Sequence, residues 1–223
     1  GFDKTNFNLL EYVTAPDIKG YAYATTMIRN LLENSEFKRD FINRHADLLN
    51  SFFLPEVVIS QIDAIQKGIA NEIPFHIEKW GGRADKGNKP AFETVEKWEE
   101  NIAHMREFAR LRPDISRQHF VQKFGLGGVT SVGINVKGKG TVKINKLEIK
   151  EFPQEVVYFQ DVEIPVKAIP AFGYRFVGWE TDSTLMFADD ESVTSVEFRS
   201  EKATITAIFE FTFVGKIIGG GNK

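Results

Sequence analysis

The chain contains no cysteine, which removes disulfides, thiolate zinc sites and a thiol nucleophile from consideration. The compartment stays open, because exported proteins also do without cysteine. No run of about 18 apolar residues occurs, so no segment is long enough to cross a bilayer as a helix. Blocks of one charge sign are missing too. The formal net charge of −3 is spread over both halves, which argues against a nucleic-acid binder or a protein drawn to acidic membranes. The opening "GFDKTN" has neither the Met nor the basic and apolar stretches of a secretory leader. A leading Gly reads as a processed or cloned start, and the chain is expected to be an excised piece of a longer protein.

What is present suits ordinary globular folding. With 223 residues there is room for one or two domains, at about 100–200 residues each. Phe occurs 20 times, enough for a sizeable core. Two textures meet at "KFGLGGVTS", near Gly125–Gly128. Before this point apolar residues recur at helical spacing; after it they alternate.

In the first half, Phe37, Phe41, Leu48 and Phe52 form a stripe at one- and two-turn spacings, with Asp40, Arg44 and Asp47 assigned to the opposite face. Asn34 or Ser35 caps this helix. Pro55 sits in the first turn of the next, where its missing N–H is harmless, and Val58, Ile62, Ile65 and Ile69 form its seam. "IPFHIEKWGG" reads as a short helix around Trp80, and "GGRADKGNKP" as a loop. A long helix carries Val95, Trp98, Ile102, Met105 and Ala109 on one side; Pro113 opens a last one, which Gly125 ends.

From Val129 onward the pattern is that of strands. "VTSVGINV" and "TVKINKLEIK" flank "KGKG", a hairpin signal. "VEIPVKAIP", "YRFVGWE", "TSVEFRS" and "ATITAIFEF" add four more. The expected architecture is α+β in two domains. Residues 1–126 form an all-helical part, residues 127–214 a small antiparallel β module, and residues 215–223 a flexible tail.

Motifs for chemistry are few. "GINVKGKGT", Gly133 to Thr141, nearly matches a phosphate loop, but Gly140 stands where the hydroxyl should follow Lys139. Strands flank it, whereas a phosphate loop must feed a helix N-terminus. His45, His76, His104 and His119 show no metal-ligand spacing, and His45 on the Phe41–Leu48 stripe is expected to be a core histidine. Asp189, Asp190 and Glu191 lack the alternation of a calcium loop and read as a solvated turn. Tyr158, Phe159, Tyr174, Phe176 and Trp179 could stack on a sugar, though alternation assigns most of them to the core. No catalytic, cofactor-binding or metal-binding residue is expected.

The run "LLENSEFKRDFINRHADLLNSFFLPEVVISQID", with Asn34, Phe37, Phe41, Arg44, Ala46, Asp47 and Asn50 in place, resembles the C-terminal half of the spore-coat protein H (CotH) kinase-like family. Pro74, His76, Ile77 and Trp80 of "IPFHIEKW", and "WEENIAHMREFARLRPDISRQHFVQKFGL", continue the resemblance over roughly residues 2–127. It implies a kinase-like fold using ATP and Mg or Mn in the parent protein. The family's nucleotide-holding Lys and Glu and its catalytic and metal-binding Asp residues find no counterpart here, and Asp3 is too isolated to be promoted to one. The fragment is therefore expected to hold no cofactor and to be catalytically silent.

The second half resembles the divergent internalin-type B-repeat of bacterial surface proteins, through Gly140, Val142, Ile144, Asn145, Tyr158, Phe159, Val166 and Ala168, then Pro170, Gly173, Tyr174, Phe176, Gly178 and Trp179. That resemblance leaves β-sandwich and β-grasp-like folds both open and implies a location outside the cytoplasm. A protein substrate or cell-surface component is the expected partner, with nucleic acid and membrane spans excluded. The alternative is a non-enzymatic adhesion protein whose β module contacts carbohydrate or protein.

Overall fold

The computed structural model describes residues 5–18, 20, 23–81, 93–181, 187–189 and 191–212. The expected loop after Gly81, Asp3, Asp190 and the Gly-rich tail lie outside them. Packing divides the chain into two compact units. One takes Gly1–Thr25 and Leu48–Phe120; the other takes Thr26–Asp47 and Val121–Lys223.

Six α-helices are described, namely α1 (Leu9–Val13), α2 (Tyr23–Glu33), α3 (Ser35–Leu49), α4 (Pro55–Ile69), α5 (Ile73–Trp80) and α6 (Val95–Phe124). Asn34 caps α3 by accepting from the Phe37 N–H at 2.9 Å. Pro55 opens α4 as expected. In the first unit Leu10, Ile62, Ile73, Trp98, Ala109 and Phe120 are buried. Arg112 of α6 ties down the N-terminal segment by donating to the Thr5 and Phe7 carbonyls at 2.6 and 2.9 Å. Arg106 of α6 holds α4 through Asp63 at 2.7 Å and through Gln66.

Two helical expectations are corrected. Pro113 does not open a new helix: α6 runs through it without a break. The missing N–H leaves the Ala109 carbonyl without its intrahelical donor, and burial of the proline ring in the core offsets part of that loss. The α4 seam is also only partly covered, since Ile62 is buried while Ile65 and Ile69 are exposed.

Among the described residues the second unit contains eight strands, where the sequence suggests six. They are β1 (Val129–Lys137), β2 (Gly140–Ile144), β3 (Leu147–Ile149), β4 (Gln154–Phe159), β5 (Glu163–Pro170), β6 (Tyr174–Thr181), β7 (Val193–Glu197) and β8 (Lys202–Phe211). They form two four-stranded sheets, ordered β4-β1-β8-β6 and β3-β2-β5-β7. Strict alternation buries Ile164, Val166 and Ala168 of β5, and Ala203, Ile205, Ala207 and Phe209 of β8. Each buried Val or Ile contributes about 1.5–3 kcal/mol, so this double layer carries the unit.

The expected hairpin lies elsewhere. "KGKG" is not a hairpin, because β1 and β2 belong to different sheets and the segment arches from one to the other. Gly138 makes the arch feasible at φ +91°, where an added Cβ would lie 2.1 Å from the Phe209 carbonyl oxygen. The hairpin is β2–β3 instead, split at Asn145, whose φ of +46° is one that Asn tolerates. Nor is the module wholly antiparallel: its first and last strands, β1 and β8, pair in parallel.

Candidate functional site

The Gly133–Thr141 segment is strand, arch and strand, with no helix to receive a phosphate. His76 and His104 are exposed, and His119 is half-buried on α6 with its pKa lowered by burial and then by Arg112. His45 is half-buried, its ring stacked at 6.5 Å on Phe159. Among the described residues no group of three or more His, Asp or Glu side chains converges to hold a metal ion. Asp189 is spent on its own turn, accepting from the Glu191 N–H at 3.1 Å. An open depression of about 610 Å³ lies between α2 and α3, where Glu36 and Asp40 rim Met27, Leu31 and Phe37.

The aromatics of the β module are mostly structural. Tyr158 and Phe159 are fully buried. Along β6, Phe176 packs on Trp179 at 5.4 Å and Trp179 stacks on Phe187 at 5.3 Å. The Trp179 indole N–H donates to the Glu191 carbonyl at 3.0 Å. These rings close the seam at the β6 edge. At the turn between β5 and β6, however, Phe172 is wholly exposed, and Phe211 near it is 66% exposed.

The feature with the most unusual chemistry is one that sequence reasoning missed. Asp47 was assigned to the solvent face of α3, yet it is fully buried. Its Oδ1 accepts from the Tyr158 hydroxyl at 2.6 Å. Its Oδ2 accepts from Asn145 Nδ2 at 2.7 Å and from the Lys146 backbone N–H at 3.3 Å. Arg44, one helical turn back, stands 3.9 Å away and is half exposed. Burial raises the Asp47 pKa, against the pull of Tyr158, Lys146, Asn145 and Arg44. Tyr158 is pushed far above the usual phenol range by burial, then by the neighbouring carboxylate.

This carboxylate sits in a wider clasp between α3 and one end of the sandwich. One turn earlier on the same helix face, Asn43 Nδ2 donates to the Glu163 carbonyl at 2.8 Å, while its own Oδ1 has no partner among the described residues. Arg39 pairs with the Glu163 carboxylate at 3.5 Å. Phe41 meets Phe124 edge-on at 6.3 Å. The missed signal was Ile42, Ala46 and Leu49, an i, i+4, i+7 set of small and medium apolar residues, all buried. The larger Phe37, Phe41, Leu48 and Phe52 outweighed it, yet these are half-buried or, for Phe52, exposed.

Comparison with known families divides the chain at nearly the same texture change. Residues 15–115 match the family described as CotH kinase protein. Residues 130–212 match the divergent InlB B-repeat domain. No curated protein matches, and no solved structure does. The chain thus carries a helical segment similar to the CotH kinase family, followed by a module similar to the divergent InlB B-repeat.

Proposed function

We propose that this chain serves as helical scaffold and surface module of a CotH-like protein working outside the cytoplasm, and that it transfers no phosphoryl group by itself. The carrying observation is the Asp47 clasp. Helix α3 lies within the stretch matched to the CotH family, yet its residues up to Asp47 pack as part of the unit that contains the β module. A module added as a loose spacer needs no buried carboxylate shared with a helix about 100 residues away; a module that braces the helix does.

Catalytic silence has its own support. Phosphoryl transfer depends on a Lys, carboxylates and metal ions held around the phosphates. The resemblance places none of these groups on a position of this chain, and the described acids do not converge. ATP and Mg or Mn belong to the parent protein in this reading. Calorimetric titration with Mg-ATP, then Mn-ATP, tests it: no saturable heat at sub-millimolar nucleotide is expected, and saturable binding would overturn it. Protease treatment of intact cells tests the location, since a cytoplasmic chain stays protected.

A second reading, adhesion through the β module, draws on the exposed Phe172 and Phe211. It requires binding to isolated cell-wall material that Phe172→Ala abolishes without altering the unfolding temperature.

A further inference from the structure

We propose that Asp47 is a proton-linked latch which tightens the seat of α3 on the β-sandwich as the pH falls. The geometry provides two complete hydrogen-bond states. The Tyr158 hydroxyl lies 2.6 Å from Asp47 Oδ1 and 3.3 Å from the Ile144 carbonyl oxygen. With the carboxylate ionised, the phenol donates to it. With the carboxyl protonated, Asp47 donates to Tyr158 Oη, and the phenol turns its own proton to the Ile144 carbonyl. A hydroxyl can both donate and accept, so neither state leaves it orphaned. Asn145 and the Lys146 N–H donate to Oδ2 in both states. Only the neutral state avoids holding a charge out of water.

The charged groups around the latch do not cancel that difference. From α3, Arg44 faces the carboxylate at 3.9 Å, but its side chain is 53% exposed and its attraction is screened. From the β2–β3 turn, Lys146 offers its backbone N–H rather than its exposed ammonium. From β4, the phenol of Tyr158 holds its proton far more tightly than usual, so the proton that comes and goes is that of Asp47. From β5, Glu163 is engaged by Arg39 and Ser195. Because the folded-state pKa of Asp47 is raised, its contribution to stability is full below the unfolded-state value. That contribution is lost as the pH rises through the folded one.

The test is a carboxyl-carbon NMR titration of the full chain, with the Tyr158 ring carbon bonded to oxygen followed in the same samples. Asp47 should titrate while the protein is folded, with a midpoint above the unfolded-aspartate value, and the Tyr158 signal should follow the same midpoint. Hydrogen exchange then reads the latch itself. Amide protection across residues 42–47, corrected for intrinsic rates, should rise several-fold as the pH is lowered from 7.5 through the midpoint that the Asp47 carboxyl signal reports. In Asp47→Asn, the neutral isostere, it should be high already at pH 7.5 and flat with pH. An Asp47 that stays ionised until the fold is lost, a Tyr158 signal indifferent to it, or protection in Asp47→Asn that still climbs on acidification would each overturn the proposal.

Discussion

At the scale of single residues, the chain depends on a few polar groups placed where apolar ones would be expected. Replacing Asp47 by Ala strands the Asn145 amide and the Lys146 N–H inside the clasp and leaves the Tyr158 hydroxyl only its longer bond to the Ile144 carbonyl. Orphaned buried donors of this kind cost about 3 kcal/mol together, and a lowered urea midpoint for the B-repeat unit should report the loss. Tyr158→Phe removes one donor while keeping the ring, and about 1–2 kcal/mol is expected. Asp47→Asn should cost less than Asp47→Ala and least at neutral pH, where the wild-type side chain carries an unfavourable buried charge. Sequence reading placed Asp47 in the helix but on the wrong face. Periodicity weights residues by hydrophobic size, and the side chains that α3 buries are Ile, Asn, Ala, Asp and Leu rather than Phe.

Elements were more legible than their partners. Helices α3, α4 and α5 and strands β5 to β8 fall where periodicity and breakers put them. What the sequence did not disclose was which strand pairs with which. "KGKG" looks like a hairpin because its glycines allow a reversal, and nothing local distinguishes a reversal within one sheet from an arch between two. The arch has a distinct liability. An added Cβ at Gly140 would lie 2.5 Å from the Phe209 ring and 2.7 Å from the Ile169 carbonyl oxygen. Gly140→Ala should therefore cost about 1–3 kcal/mol through overpacking, measured as a lower unfolding temperature with the sheet content unchanged. Pro113 gives a prediction of opposite sign. Pro113→Ala restores the donor to the Ala109 carbonyl, worth up to about 3 kcal/mol in a helix interior, and gives up part of a buried ring. A net gain of about 1–2 kcal/mol in the stability of the first unit is expected, read by calorimetry.

For the whole molecule, the texture change near Gly125 falls in the gap between the two matched stretches, whereas the packing divides the chain elsewhere. The two matched stretches end and begin at residues 115 and 130, but residues 26–47 pack with the strands. Composition could not show this, because a helix docked on a sandwich by a buried carboxylate looks in sequence like any amphipathic helix. Helix α3 completes the β module: residues 26–47 and the strands form one compact unit. The most direct test compares the urea unfolding of residues 127–214 produced alone with the unfolding of the same strands in the full chain, each followed by Trp179 indole NMR. The account predicts a clearly lower midpoint for the isolated segment, with Tyr158 open to solvent and a lowered phenol pKa. An isolated segment that unfolds at the same midpoint as in the full chain would contradict it.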